Sequence, residues 1–482
     1  MAGLAEWILA EARFATATMQ RAISATQLVM ERPGFGQRVV PRRGSVLASP
    51  VPAHYDPDPD YFFHWFRDSA IVIDALRVAV AAGYADDSAL VRFREFVQFS
   101  LALHSLDGRE FLRHGNFRAR AQPEFLRYLR PDSEIAALSG EAVQADVRVN
   151  ADGTLDFIRW SRPQTDGPAL RCIALLGWVR EFPSLHGDPT LRSALSELIS
   201  ADLAFTLSYL RKACSDVWEE ESGEHYYTRL VQAAALTRGA DWLEDIGQEV
   251  RARASRIAAE ETLARFDGFW NEAAGFYRSR TSPDPRRALD ISVIVAVLHA
   301  GRVEGRHSVI DPRAQATLTA LEELFETEYA INRERRSDRG PALGRYANDR
   351  YYGGGAWYLA TLAAAEFYFT LAHTLRGGAV MPVTPENLRF RQRLGAPAPG
   401  AGGAAWAQLA LARGDAIMRT VQAFTPASGE LSEQFDQTTG AQTSAKHLSW
   451  SYAAFITAAA RRAQAEGSIR GANPATPPAG TA

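Results

Sequence analysis

A run of three glutamates beside a tryptophan is the first feature of this sequence that could do chemistry. Residues 217–228 read VWEEESGEHYYT, so Glu219 directly follows Trp218 and two tyrosines come soon after. An adjacent indole removes water from a carboxyl, and neighbouring carboxylates oppose its ionisation. Both effects favour a protonated glutamic acid, which is what a general acid must be. A solvated acidic turn is the competing interpretation, and this segment alone does not decide between the two.

A second candidate carboxyl lies far along the chain. Hydrolysis of a glycosidic bond needs one protonated and one ionised carboxyl. Glu433 stands in the polar stretch GELSEQFDQTTG, residues 429–440. Taken singly, it is expected to be an exposed loop carboxylate.

Three other segments place aromatic rings beside charged hydrogen-bonding groups. They are YDPDPDYFFHWFRDS (55–69), RWSRPQTDG (159–167) and GRYANDRYYGGGAW (344–357). Flat rings can stack on the C–H faces of a sugar, and planar charged groups can bind two hydroxyls at once. The alternative for the first segment is an ordinary helix start, capped by Asp68 and Ser69. The alternative for the other two is surface or core packing.

Composition excludes several classes of protein. The 482 residues are 46% apolar and 23% charged, with a formal net charge of −3. This near-neutral balance gives no sign of a nucleic-acid or membrane partner. The N-terminal segment lacks the basic region of a secretory signal. We expect Cys172 and Cys214 to be free thiols in a reducing cytoplasm, although a disulfide stays open.

The apolar periodicity predicts an all-α protein. A period of 3.6 residues indicates about twelve helices, near 4–28, 68–83, 87–105, 167–183, 190–212, 227–239, 242–265, 288–300, 312–330, 354–376, 404–424 and 449–465. Alternating short and long connections favour an (α/α)6 barrel, two concentric rings of six helices, over an irregular helical stack. We expect residues 1–466 to form a single domain and residues 467–482 to form a disordered tail.

In five segments, in order and spread over roughly residues 55–455, the chain resembles the glucoamylases, glycoside hydrolase family 15. DVWEEESGEHYYT resembles the family's Asp-Leu-Trp-Glu-Glu segment, whose first glutamate is the general acid. LSEQFD resembles the family's Ser-Glu-Gln-Tyr-Asp motif, whose glutamate is the general base. The resemblance therefore implies Glu219 as the catalytic acid and Glu433 as the catalytic base.

The other three segments imply the substrate ligands. HWFRDSA resembles a Trp-x-Arg-Asp-Ser motif that holds the non-reducing glucose. RWSRPQTDGPALR resembles a Trp-Gly-Arg-Pro-Gln segment whose tryptophan lines the pocket, and GRYANDRYYGGGAWYL resembles a further ligand-bearing segment. The implied ligands are Tyr61, Trp65, Arg67, Asp68, Trp160, Trp218, Glu220, Arg345, Tyr351 and Trp357.

The family is exo-acting and inverts configuration, so the resemblance implies release of β-D-glucose from the non-reducing ends of α-1,4-linked glucans. Inversion implies a separation of about 6.5–9.5 Å between the two carboxyls. The fold implied is again the (α/α)6 barrel, and no metal or organic cofactor is implied. We expect a soluble maltooligosaccharide substrate, no starch-binding module and a cytoplasmic location.

Three departures from the family pattern leave linkage and chain length open. They are Ser161 in place of glycine, the bulky Phe66 between Trp65 and Arg67, and a Gly-Gly-Ala run before Trp357. The alternatives are the same mechanism on α-1,6 (isomaltose) or α,α-1,1 (trehalose) linkages, a phosphorylase on a similar barrel, and a non-catalytic glucan-binding protein. A phosphorylase needs no second carboxylate, so Glu433 argues against it.

Overall fold

The computed structural model describes residues 3–281, 287–395 and 402–467. The predicted tail, from residue 468 onward, lies outside these ranges. The described residues contain twelve helices of nine or more residues: α1 Leu4–Gln20, α2 Phe66–Ala81, α3 Ser88–Ala102, α4 Gly167–Glu181, α5 Pro189–Tyr209, α6 Tyr226–Asp245, α7 Glu249–Leu263, α8 Ser292–Ala300, α9 Pro312–Glu328, α10 Tyr358–Arg376, α11 Gly403–Phe424 and α12 Ser449–Glu466.

The twelve helices form two concentric rings. Each even-numbered helix packs on the next one, from α2 through α4, α6, α8 and α10 to α12, and α12 packs back on α2. The odd-numbered helices lie outside, with α1 on α12, α5 on α4, α7 on α6, α9 on α8 and α11 on α10, while α3 contacts both α2 and α5. The predicted (α/α)6 barrel is therefore confirmed.

Burial differs between the rings as this arrangement requires. The inner helix α8 has the sequence SVIVAVLHA, and most of its residues are buried. The outer helix α7 buries only Ala252, Ser255, Ala259 and Thr262. A helix surrounded by protein tolerates apolar residues on every side, whereas an outer helix needs one apolar stripe. Asp188 and Asp311 cap the N-termini of the outer helices α5 and α9. Each aspartate accepts at least one hydrogen bond from a backbone N–H group of the first turn, and a proline follows it directly.

Short antiparallel strands hold the long connections together within the described ranges. The pairs are β1 Met30–Arg32 with β2 Gln37–Val39, β3 Phe63–Trp65 with β4 Arg148–Asn150, β5 Cys214–Ser215 with β6 Ser222–Gly223, and β7 Trp270–Asn271 with β8 Phe276–Tyr277. A three-stranded sheet has the order β11 (Gln442–Thr443), β10 (Gln434–Phe435), β9 (Ala356–Trp357).

Short helices complete the connections. The short α-helices are Gly108–His114, Phe117–Arg120, Asp132–Ala136, Glu141–Gln144, Ala330–Arg333 and Leu388–Leu394. The 3-10 helices are Pro33–Phe35, Leu103–Ser105, Pro123–Tyr128, Pro183–Gly187, Phe266–Phe269, Tyr351–Gly353 and Pro385–Asn387.

Two details of the sequence prediction change. The first helix ends at Gln20, eight residues before its predicted end, because the chain turns there into β1. The α2 helix begins at Phe66, so Asp68 and Ser69 lie inside its first turn and do not cap it. Cys172 and Cys214 are both buried free thiols. No helix in the described ranges is long and apolar enough to span a bilayer.

We expect Glu11 to make stability depend on pH. This buried carboxyl of α1 has one oxygen without a hydrogen-bond partner in the described chain, and burial raises its pKa from 4.5 to about 7. A folded-state pKa above the unfolded value gives stability that is lost as pH rises through 7. Glu11→Gln should therefore gain up to about 3 kcal/mol relative to wild type between pH 4.5 and pH 8.

Denaturant unfolding at the two pH values measures this difference. Glu6→Gln, on the exposed side of the same helix, is the matched control. An equal effect of Glu11→Gln at both pH values would contradict the prediction.

Candidate active site

One cavity of about 490 Å³ collects all twelve predicted site residues. Its size is that of a small-molecule site. It lies where inner helices begin, since Arg67 and Asp68 stand in the first turn of α2, Trp357 directly precedes α10 and Trp450 opens α12. The lining residues are Ala48, Tyr61, Trp65, Arg67, Asp68, Arg159, Trp160, Ser161, Val217, Trp218, Glu219, Glu220, Arg345, Tyr351, Trp357, Glu433, Leu448 and Trp450.

Glu219 is carried on the turn that joins β5 to β6, just before α6. Its backbone has φ of +66°, in the left-handed region that few residues other than glycine adopt. Asp216 holds the turn, because its carboxylate accepts the backbone N–H groups of Glu220 and Glu221 at 2.7 and 3.1 Å. A strained conformation held by its surroundings is typical of functional positions.

Three donors from two separate segments meet on the Glu219 carboxylate. Arg67 Nη2 lies 2.8 Å from Oε1, and Trp65 Nε1 donates to the same oxygen at 2.9 Å. Trp160 Nε1 donates to Oε2, and Ser161 donates to the backbone carbonyl of Glu219. The indoles that contact the carboxylate are therefore those of Trp65 and Trp160, whereas the sequence pointed to Trp218.

The neighbouring glutamates are neutralised by arginines, so the unbalanced acidic cluster expected from the sequence does not exist. Glu220 lies 3.0 Å from Arg345 and 2.6 Å from Arg287. Glu221 forms ion pairs with Arg280 and Arg287. The three consecutive side chains have different partners, as expected for residues with different tasks.

Glu433 is buried, contrary to the expectation for an isolated loop carboxylate. It directly precedes β10, and β10 pairs with β9 so that Gln434 lies opposite Trp357. The Ser444 hydroxyl donates to Oε2 of Glu433. Burial raises the pKa of Glu433 to about 7, while the Ser444 hydrogen bond and the charge of Arg345 act in the opposite direction. A carboxyl with a pKa this high is a stronger base than an ordinary carboxylate.

The cavity also holds polar atoms without hydrogen-bond partners in the described chain. They include Nε and Nη1 of Arg67, Oδ2 of Asp68 and Nε1 of Trp357. Beside them, both carboxylate oxygens of Asp166 have no hydrogen bond. Burial raises the pKa of Asp68 and of Asp166 to about 6. Arg67 is nevertheless ion-paired, since its Nη2 lies 3.3 Å from Asp68 and its Nη1 lies 3.6 Å from Asp166, so these groups form a buried charged cluster.

Arg345 and Trp218 form the opposite wall. Asp349 binds the Arg345 guanidinium through both oxygens, at 2.7 and 2.6 Å. The indole N–H of Trp218 contacts both carboxylate oxygens of Asp290, at 3.1 and 3.0 Å, and burial raises the pKa of Asp290 to about 7. Both side chains are thus fixed in place by buried carboxylates before any ligand binds.

Sequence reasoning missed several members of the site. Ser444 follows Glu433 by eleven positions with no periodic signal, and only the hairpin between β10 and β11 brings them together. Trp450 falls in the last predicted helix, near 449–465, where no motif marks it, yet it lines the cavity. Tyr346, noted only as part of an aromatic run, donates to Glu220 at 2.5 Å. Within the described ranges no cluster of three or more His, Cys, Asp or Glu could hold a metal ion.

Comparison with known proteins identifies the family of this chain. The sequence model of glycosyl hydrolases family 15 matches residues 137–460, more than half of the chain. The chain is 29% identical to a glucoamylase of Neurospora crassa, over 87% of this chain and 63% of that protein. It is also 29% identical to glucoamylase-1 of Schizophyllum commune, over 90% of this chain and 72% of that protein. The chain therefore spans less than two thirds of the Neurospora protein.

Solved structures agree as well. A family 15 glucoamylase from Hypocrea jecorina superimposes with a TM-score of 0.77 at 26% identity, covering 96% of this chain and 72% of that one. A glucoamylase from Saccharomycopsis fibuligera superimposes with a TM-score of 0.79 at 21% identity, covering 96% of both chains, and this second likeness shows the fold alone. Because the family model matches more than half of the chain, this chain belongs to glycosyl hydrolases family 15.

Proposed function

We propose that this chain is an exo-acting, inverting glycoside hydrolase that releases β-D-glucose from the non-reducing ends of α-1,4-linked glucooligosaccharides. One observation carries the proposal: the charged side chains of Arg67, Asp68 and Arg345 share an aromatic-walled cavity with two glutamates. A sugar offers many hydroxyls and apolar ring faces, and so complements both kinds of wall.

The chain end is proposed to enter with its terminal glucose at Arg67 and Asp68, which are almost fully buried. Tyr61, Trp65 and Trp160 supply the ring surfaces around it. Glu220, which is more exposed and shared between Arg345 and Arg287, is placed to bind the next sugar. A buried inner end and a more exposed second position favour removal of single terminal units.

In the proposed reaction Glu219 donates its proton to the glycosidic oxygen while the bond from that oxygen to the anomeric carbon breaks. A water attacks the anomeric carbon from the opposite face, and Glu433 takes the proton which that water loses. Configuration inverts because a single displacement occurs. Proton exchange with solvent then returns both carboxyls to their starting states.

The two proposed catalytic carboxyls have different surroundings. Indole and guanidinium donors fix both oxygens of Glu219, which orients its carboxyl relative to the bound sugar. The raised pKa of Glu433 increases its affinity for a proton, and Arg345 and Ser444 limit that increase. The positive charge of Arg67 alone would repel the electron-poor sugar ring of the transition state. Asp68, Asp166 and Glu219 surround Arg67 and balance that charge.

The preferred linkage is proposed as α-1,4, supported by the named relatives, with α-1,6 and α,α-1,1 as the competing substrates. Ser161, which stands where the family has glycine, lies in the cavity wall and donates to the backbone of Glu219. Its side chain therefore touches the turn that carries both Glu219 and Glu220. Glucose release from maltotriose, isomaltose and trehalose, assayed separately, assigns the linkage. The cytoplasm is the proposed location, supported by the two free cysteines.

Removal of either carboxyl should abolish most activity without unfolding the protein. We expect Glu219→Gln and Glu433→Gln each to lower kcat by about 10²–10⁴-fold, because each variant loses one proton transfer. The two should differ on α-glucosyl fluoride, whose leaving group needs little protonation: Glu219→Gln should retain much of its turnover, and Glu433→Gln should not. Steady-state kinetics and thermal unfolding check this, and near-wild-type hydrolysis of maltotriose by either variant would contradict the assignment.

Activity should fall on the acid side of about pH 7. The base must be ionised, so kcat/KM should decline as pH drops through the pKa of Glu433. Ser444→Ala removes a hydrogen bond that lowers this pKa, and should move the acidic limb to higher pH. Ser432→Ala is the matched control, because that buried hydroxyl lies in the same loop but donates to the Gln434 carbonyl. An acidic limb that stays in place, or moves to lower pH, in Ser444→Ala would refute the role given to Glu433.

A further inference from the structure

A buried arginine lies behind the two tryptophans that donate to Glu219. Arg148 has no solvent exposure, and it stands in β4 directly opposite Trp65 of β3. The carbon of its guanidinium lies 4.6 Å from the ring centroid of Trp65, 4.0 Å from that of Trp160 and 3.9 Å from that of Phe63. One cation therefore contacts both indoles at once.

Within the described ranges, only one of the three guanidinium nitrogens of Arg148 donates a hydrogen bond. Its Nε donates to Asp156 at 2.9 Å, and Arg162 shares that carboxylate at 2.8 Å. Its Nη1 and Nη2 have no hydrogen-bond partner in the described ranges. A guanidinium placed only for structure would normally satisfy these groups. Here the faces of three rings surround the guanidinium in their place.

We propose that Arg148 is a positioning residue for the general acid, acting through Trp65 and Trp160, and this rests on the proposed function. The guanidinium holds the two indoles in their edge-to-face arrangement, with centroids 6.1 Å apart and planes at 79°. Each indole N–H is thereby directed at one oxygen of Glu219. The positive charge also draws electron density from the rings, which makes both N–H groups stronger donors.

Arg32, which stacks on Phe63 as Arg148 does, is a matched control. Arg32 is also buried, its guanidinium carbon also lies 3.9 Å from the Phe63 centroid, and it also binds an aspartate, Asp60. Among the rings in the described ranges, the Arg32 guanidinium stacks on Phe63 and on neither indole. Replacing Arg32 therefore removes a comparable buried cation–ring contact and ion pair while leaving the donors of Glu219 untouched.

The test compares Arg148→Gln, Arg148→Lys and Arg32→Gln by kinetics on maltotriose and by NMR of ¹⁵N-labelled tryptophan indoles. Trp65→Phe and Trp160→Phe assign the two signals. In Arg148→Gln we expect both indole N–H signals to move upfield and kcat to fall about tenfold or more, with a smaller change in KM. Arg32→Gln should keep both signals and hold kcat within about threefold. Arg148→Lys, which keeps the charge, should recover part of the loss.

Unchanged indole signals in Arg148→Gln, together with a loss of kcat no larger than that of Arg32→Gln, would overturn the proposal. If Arg148→Gln does not fold, Arg148→Lys decides: the proposal expects smaller upfield shifts of the same two signals, and wild-type shifts with wild-type kcat would contradict it. If the wild-type protein releases glucose from no substrate, the proposed function fails, while the indole signals still test whether Arg148 controls the donors of Glu219.

Discussion

The carboxylate of Glu219 is held by donors that come from different parts of the chain, and the rest of the site depends on this arrangement. Arg67 belongs to the first turn of α2, Trp65 to β3 and Trp160 to the segment before α4. These segments meet because inner helices of the barrel start at the same end. A single closed ring of helices thus brings residues that are about 150 positions apart into hydrogen-bond contact.

Charge balance is the second constraint on this site. An unpaired buried charge is costly, and both buried arginines of the cavity wall have nearby carboxylates. Arg67 lies near Asp68, Asp166 and Glu219, and Arg345 is bound by Asp349 and Glu220. Glu433 contrasts with these pairs, since a neutral hydroxyl, that of Ser444, donates to it and burial raises its pKa. The two candidate catalytic carboxyls therefore have different surroundings: hydrogen-bond donors surround the proposed acid, whereas burial dominates at the proposed base.

The sequence predicted the barrel and the membership of the cavity well, and for physical reasons. The 3.6-residue periodicity located all twelve long helices, because inner and outer helices both need apolar faces. Short motifs located Glu219, Arg67 and Arg345, because those residues stand within characteristic local segments.

Periodicity could not predict contacts across distant segments. The partnership of Ser444 with Glu433 depends on a hairpin register, and the partnership of Arg148 with Trp65 and Trp160 depends on strand pairing. The charge environment of Glu219 was also misjudged, since the arginines that pair with Glu220 and Glu221 lie more than 55 residues later in the chain.

The central claim is a single displacement by water, with Glu219 as acid and Glu433 as base. The most direct measurement is a proton NMR time course of the anomeric signals during hydrolysis of maltotriose by the wild-type protein. The account predicts that β-glucose appears first and that the α-anomer grows only as fast as mutarotation supplies it. Early α-glucose would mean retention of configuration, and it would contradict the assignment of Glu433 as the base that activates water.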